Sequence, residues 1–224
     1  MNKQPYYFEI KDLITQFISA FDDVVISRYN KARVAQDKIE VRYLYAPKER
    51  VVHDLINKAQ HITVPAIAVS IASVARDETR VFNKITGSYS ESPDLTSEVS
   101  DLLPSPVPVN ISVNMSIITR YQADMDQIIS NFVPYTNPYI VVSWKVPSDF
   151  VQGRIEEIRS EVDWSGDVSL SYPEDLAANA PYRVTGDTSF TIKGWLFPDN
   201  SNQPGKRIFY IDTKFTPVTG FDYM

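Results

Sequence analysis

The stretch VNISVNMSIITRYQADMDQIISNFVPY, Val109 to Tyr135, changes period midway and so fixes a strand-to-helix junction. Val109, Ile111, Val113, Met115 and Ile117 alternate with Asn110, Ser112, Asn114 and Ser116. A period of two puts the apolar set on one face of a β-strand and the polar set on the other. From Tyr121 onward, Met125, Ile128, Ile129 and Phe132 recur at helical spacing. Thr119 and Gln122 have the spacing of a capping box. Asp124 and Asp126 fall near the positive end of the helix, and Pro134 marks its stop. The polar face of the strand carries no charge, whereas exposed strands use charged gatekeepers. The strand is therefore expected to be central in its sheet or covered by a partner.

Elsewhere the pattern alternates between helix and strand. Ile10, Leu13, Ile14, Phe17, Ile18 and Phe21 form one apolar stripe, ended by Asp22-Asp23. Val24 to Tyr29 and the alternating Ile39, Val41, Tyr43 and Tyr45 predict a hairpin across a polar turn. Pro47 suits the first turn of a second helix, with Val51, Val52, Leu55, Ile56 and Ala59 as its stripe. The strand from Pro65 to Val74 has small residues at Ala66, Ala68, Ser70 and Ala72, room for an element packed close to that face. Residues 86–108 are rich in Ser, Pro and acids and too long for an ordinary connection, which predicts an extended loop or arm. Strands are expected over Tyr139–Val146, Ile158–Trp164, Thr188–Phe197 and Ile208–Phe215, with a loop across Pro173–Ala180. The fold class is α+β: a mixed, mainly antiparallel sheet flanked by about three amphipathic helices, in one domain over 1–224.

Several chemistries are excluded or left without support. There is no cysteine, so disulfides, thiolate nucleophiles and sulfur-ligated zinc are absent. The net charge of −6 argues against sequence-independent DNA binding. Seven dispersed glycines form no phosphate-binding loop. His53 and His61, eight apart, lack the spacing of a helical metal site. The acid pairs Asp22-Asp23, Asp124 with Asp126, Glu156-Glu157 and Glu174-Asp175 are neighbours in sequence, which does not show convergence on a substrate. A carboxylate-dependent hydrolase is the remaining enzyme reading. No run is long and apolar enough for a membrane helix. No cofactor or metal is expected. Arg120 and Asp124, four apart, either meet each other or leave Arg120 to reach a carboxylate on another subunit. The three tryptophans and thirteen tyrosines suit a core first and an interface second.

Ser116-Ile117-x-Thr119-Arg120-Tyr121-x-x-Asp124-Met125-x-Gln127-Ile128, followed by Pro134-Tyr135-x-x-Pro138, resembles the signature stretch of the tail sheath stabiliser and completion proteins of T-even-like contractile-tailed phages. Tyr45-Ala46-x-Lys48-Glu49 and Gly194-Trp195-x-x-Pro198 resemble flanking parts of that family. The order of elements matches from the first helix to about Pro198; residues 86–108 match poorly. The resemblance implies a tail-terminator-like fold and a structural, non-enzymatic role. Such proteins close the head-proximal end of the tail as a hexameric ring. Implied partners are copies of itself, the tail sheath and tube proteins and a neck or connector protein. DNA passes through without specific binding, and the location is the virion tail. A head–tail connector or baseplate component is the alternative within the same class. The residues expected at subunit or partner contacts are Arg120, Tyr121, Asp124, Asn110, Ser112 and Asn114.

Overall fold

A computed structural model describes residues 6–57, 64–81, 87–90, 99–147, 157–173, 182–198 and 204–206. The elements run α1 (Glu9–Ser19), β1 (Val25–Tyr29), β2 (Ala35–Glu40), β3 (Arg42–Tyr45), α2 (Lys48–Asn57) and β4 (Ala66–Arg76). They continue with β5 (Gly87–Ser90), β6 (Val99–Pro104), β7 (Val107–Thr119), α3 (Gln122–Tyr135) and β8 (Ile140–Lys145). The last are β9 (Glu157–Trp164), β10 (Ser169–Ser171), β11 (Val184–Leu196) and β12 (Pro204–Lys206). The main sheet has the order β3-β4-β7-β11-β9-β8, with β10 also paired to β11. Only β3 and β4 pair in parallel; the other pairs are antiparallel. Among the described residues the fold is thus the expected α+β arrangement of three helices and a mixed sheet.

The strand with the uncharged polar face, β7, lies at the centre. β7 pairs with β4 on one side and with β11 along thirteen residues on the other. Its odd positions face a core in which Ile111, Val113 and Ile117 are fully buried. Leu13, Ile14 and Phe17 of α1 and Met125, Ile128 and Phe132 of α3 cover that face. Burying one such side chain contributes about 1.5–3 kcal/mol, so the two helical stripes and the strand alternation select one register. The Glu9 carboxylate accepts the Phe197 amide at 2.9 Å, fixing the start of α1 to the end of β11. At its other end the Tyr43 hydroxyl donates to the Phe21 carbonyl at 2.5 Å.

Among the described residues, the second face is covered at one end. Val51 and Leu55 of α2 pack on Ala68 and Ile118. Of the small residues of β4, Ala68 is where the helix comes close, whereas Ser70 and Ala72 are left uncovered by it.

Several boundaries differ from the sequence expectation. The alternation from Ile39 to Tyr45 is divided at Val41: β2 pairs with β1 in a separate two-stranded sheet, whereas β3 joins the main sheet. Val41 itself is buried, so the chain changes sheets without breaking the pattern. β11 begins at Val184, earlier than Thr188. The capping box is not formed. Thr119 stays in β7 opposite Val184, Tyr121 is the N-cap with no side-chain cap bond, and the Gln122 amide donates to Asp126 at 2.9 Å. Pro134 lies inside the last turn of α3 rather than beyond it. Within 86–108, β5 and β6 pair antiparallel, and β12 adds to β6, so the expected arm carries strands. The expected strand Ile208–Phe215, the loop residues 174–180, His61, Glu156 and the pair Glu174-Asp175 lie outside the described residues.

Candidate interaction surface

The uncharged face of β7 belongs to a broader polar surface. Ser112 lies between Ser73 of β4 and Thr191 of β11, and Asn114 between Ser70 and Ser189. Ser116 donates to Asp187 Oδ1 at 2.6 Å, and Asp187 Oδ2 receives Lys48 Nζ at 2.5 Å. At the other end Arg80 donates to the Val109 carbonyl at 2.7 Å and to Asn110 Oδ1 at 3.2 Å. The same guanidinium donates to Asp77 at 2.7 Å and lies 5.2 Å from the Trp195 ring centre. The result is a carpet of small hydroxyls and amides three strands wide, bounded by fixed charges. A depression of about 460 Å³ opens over Ser70, Asn114, Ser116 and Ser189. Small neutral polar groups cost far less to desolvate than charges, so this carpet suits a protein contact that keeps its hydrogen bonds. Asn110, Ser112 and Asn114 all belong to it.

Arg120, Tyr121 and Asp124 gather at the start of α3, and Tyr121 and Asp124 meet Arg28 of the β1–β2 hairpin. Arg28 of β1 lies 5.2 Å from the Tyr121 ring centre, and Arg120 lies 5.6 Å from it. Gln127 Oε1 accepts the Ser27 amide at 2.9 Å. Arg120 does not pair with Asp124, because it lies in the bend before the helix. Asp124 is instead buried, with Arg28 4.0 Å away. Arg120 and Tyr121 are exposed; Asp124 acts inside the fold. Thr119 Oγ1 is buried without a hydrogen-bond partner among the described residues. Sequence reasoning missed Arg28, Lys48 and Asp187, whose partners lie far away in sequence.

Burial pushes the Asp124 carboxyl above its ordinary value, and Arg28 offsets this only partly. An acid whose folded value is raised destabilises the fold once ionised, so the cost is absent below about pH 4 and grows as pH rises through that region. The variant Asp124→Asn is therefore expected to melt higher than the native chain at pH 7 and alike at pH 3. Thermal unfolding at the two pH values checks this. A lower melting temperature at pH 7 would mean that Arg28 and the helix dipole outweigh burial.

Residues 5–220 match the family of T4-like virus Myoviridae tail sheath stabilisers. The chain is 26% identical over 117 residues to the tail completion protein gp15 of Enterobacteria phage T4; the match covers 49% of this chain and 39% of that protein. It spans well under two thirds of that relative's length. Among solved structures, the sheath/tube terminator of an extracellular contractile injection system, PVC, in its extended state, is similar at a TM-score of 0.41 and 11% identity. That match covers 98% of this chain and 66% of the other.

Proposed function

Because this chain belongs to the tail sheath stabiliser family of T4-like Myoviridae, we propose that it closes the head-proximal end of a contractile phage tail as a hexameric ring. The family is a structural one and not a family of enzymes. The ring holds the last layer of sheath on the tube and offers a docking surface to the neck. Its partners are copies of itself, the tail sheath protein, the tail tube protein and a neck or connector protein, and DNA passes through without specific binding. The observation that carries this reading is the family match over nearly the whole chain.

The surface chemistry supports it. A heterologous contact closes into a ring when the rotation per subunit allows, and a stable contact of this kind buries roughly 1,600 Å². The Ser/Thr/Asn carpet on β4, β7 and β11 is a broad face suited to such burial. Particles assembled without this chain are expected to carry tubes with unstable or absent sheath at the head-proximal end, and heads unattached to tails. Electron micrographs of the lysate check this. Intact tails joined to heads would contradict it.

A further inference from the structure

The β1–β2 hairpin is a finger with a basic tip. Residues 25–40 hold Arg28, Lys31, Arg33 and Lys38 but only Asp37 and Glu40, in a chain with 22 basic and 28 acidic side chains. The tip is a built turn. Asn30 Oδ1 accepts the amides of Ala32 and Val34 at 2.9 and 3.0 Å, and Arg33 holds a left-handed backbone with φ of 57°. Tyr29 and Val34, each 58% exposed, flank the two cations. Ser27 and Arg28, next to the tip, are tied to Gln127 and Asp124 of α3, so the turn at 29–34 is the part that projects. A rigid projection that presents two cations and two large apolar side chains to solvent has the chemistry of a docking element.

A complementary receptor lies at the other end of the same hairpin. A cleft of about 420 Å³ opens between the end of α1, the start of β1 and the last turns of α3, lined by Phe21, Asp23, Val24, Val25, Phe132 and Tyr135. Its floor is apolar, with Phe21 and Phe132 buried. Its rim carries Asp23, beside the exposed Asp22, and the half-exposed Tyr135 ring. Among the described residues Lys31, Arg33, Asp22 and Asp23 make no ion pair. Tip and cleft are separated by the length of β1, roughly 15 Å for five residues, so a finger cannot reach its own cleft.

We propose that the β1–β2 finger of one copy enters the Phe21–Phe132 cleft of a second copy, Lys31 and Arg33 meeting Asp22 and Asp23. Made in one direction only, finger of one copy to cleft of the next, the contact is heterologous and continues around a ring when the rotation per subunit closes it. This inference rests on the ring reading and names one contact within it. Opposite charges at the rim make the association salt-dependent, and like charges oppose it.

The test measures the mass of the purified full chain by sedimentation across protein and salt concentration. It compares the native chain, a finger variant (Lys31→Glu with Arg33→Glu), a rim variant (Asp22→Lys with Asp23→Lys) and all four changes together. The native chain is expected to assemble beyond the monomer, less so as salt rises. The finger variant is expected to associate about tenfold or more weakly, the rim variant likewise, and the combined variant to recover most of the loss. All four side chains are exposed, and circular dichroism checks that each variant folds. A finger variant that assembles as the native chain does, or a combined variant no better than the single pairs, overturns the contact and leaves the ring reading standing. A native chain that stays monomeric throughout overturns the contact as one that this chain makes by itself; the ring is decided separately, by the position of label on the particle.

Discussion

Replacing Phe17 with alanine is expected to cost about 3–5 kcal/mol of folding stability. Phe17 is fully buried on the inner face of α1. Its ring meets Phe21 at 5.2 Å and Phe190 of β11 at 5.1 Å, both edge-on. The truncation therefore removes apolar burial and two ring contacts, and it opens a cavity between a helix and the centre of the sheet, where neighbours on both sides are held by strand pairing. A domain of this kind is stable by only about 5–15 kcal/mol, so the loss is a large fraction of the whole. Urea unfolding checks it, read as a lower midpoint with an unchanged slope. A loss under about 1 kcal/mol would mean that α1 is not fixed on the sheet as described.

Replacing Gly194 with valine is expected to destabilise by about 1–3 kcal/mol, although valine favours strands. The sign is the informative part. A Cβ at position 194 lies 2.8 Å from Leu13 Cδ1, and Leu13 is fully buried. Leu13 has no solvent to swing into, so either α1 lifts from β11 or side chains leave their rotamers. Added to Gly194→Val, the change Leu13→Ala is expected to cost less than it does alone, because the two groups compete for one space. Equilibrium unfolding of the two single variants and the double variant checks this. A stabilising Gly194→Val would refute the close approach. The same position accounts for part of the Gly194-Trp195 pattern: the glycine admits α1 on one face, while Trp195 meets Arg80 on the other.

What was legible in the sequence follows from how local the cause is. β7 and α3 were legible because one face of each is buried, and burial imposes a period on the side chains. Asn110, Ser112 and Asn114 implied a strand either central or covered by a partner, since an uncharged polar face is poor protection for an exposed strand; that β7 is central came from its pairing with β4 and β11. The division at Val41 was not legible, because Ile39, Val41 and Tyr43 alternate alike whether the chain stays in one sheet or changes sheets. The capping box failed for a non-local reason: pairing with Val184 keeps Thr119 in the strand. At the candidate surface, Arg120, Tyr121 and Asp124 were found through one stretch of sequence. Arg28, which meets Tyr121 and Asp124, lies nearly a hundred residues earlier, and no local pattern connects them. The finger tip reads only as a polar turn until the structure shows that its cations make no ion pair among the described residues and what lies at its base.

A six-fold ring at one place in the particle is what the proposed function requires. Electron microscopy of native particles bearing a small tag after Met224 tests it most directly. The account predicts label confined to a six-fold ring at the head-proximal end of the tail. Label at the baseplate, label along the whole sheath, or particles without label would contradict it.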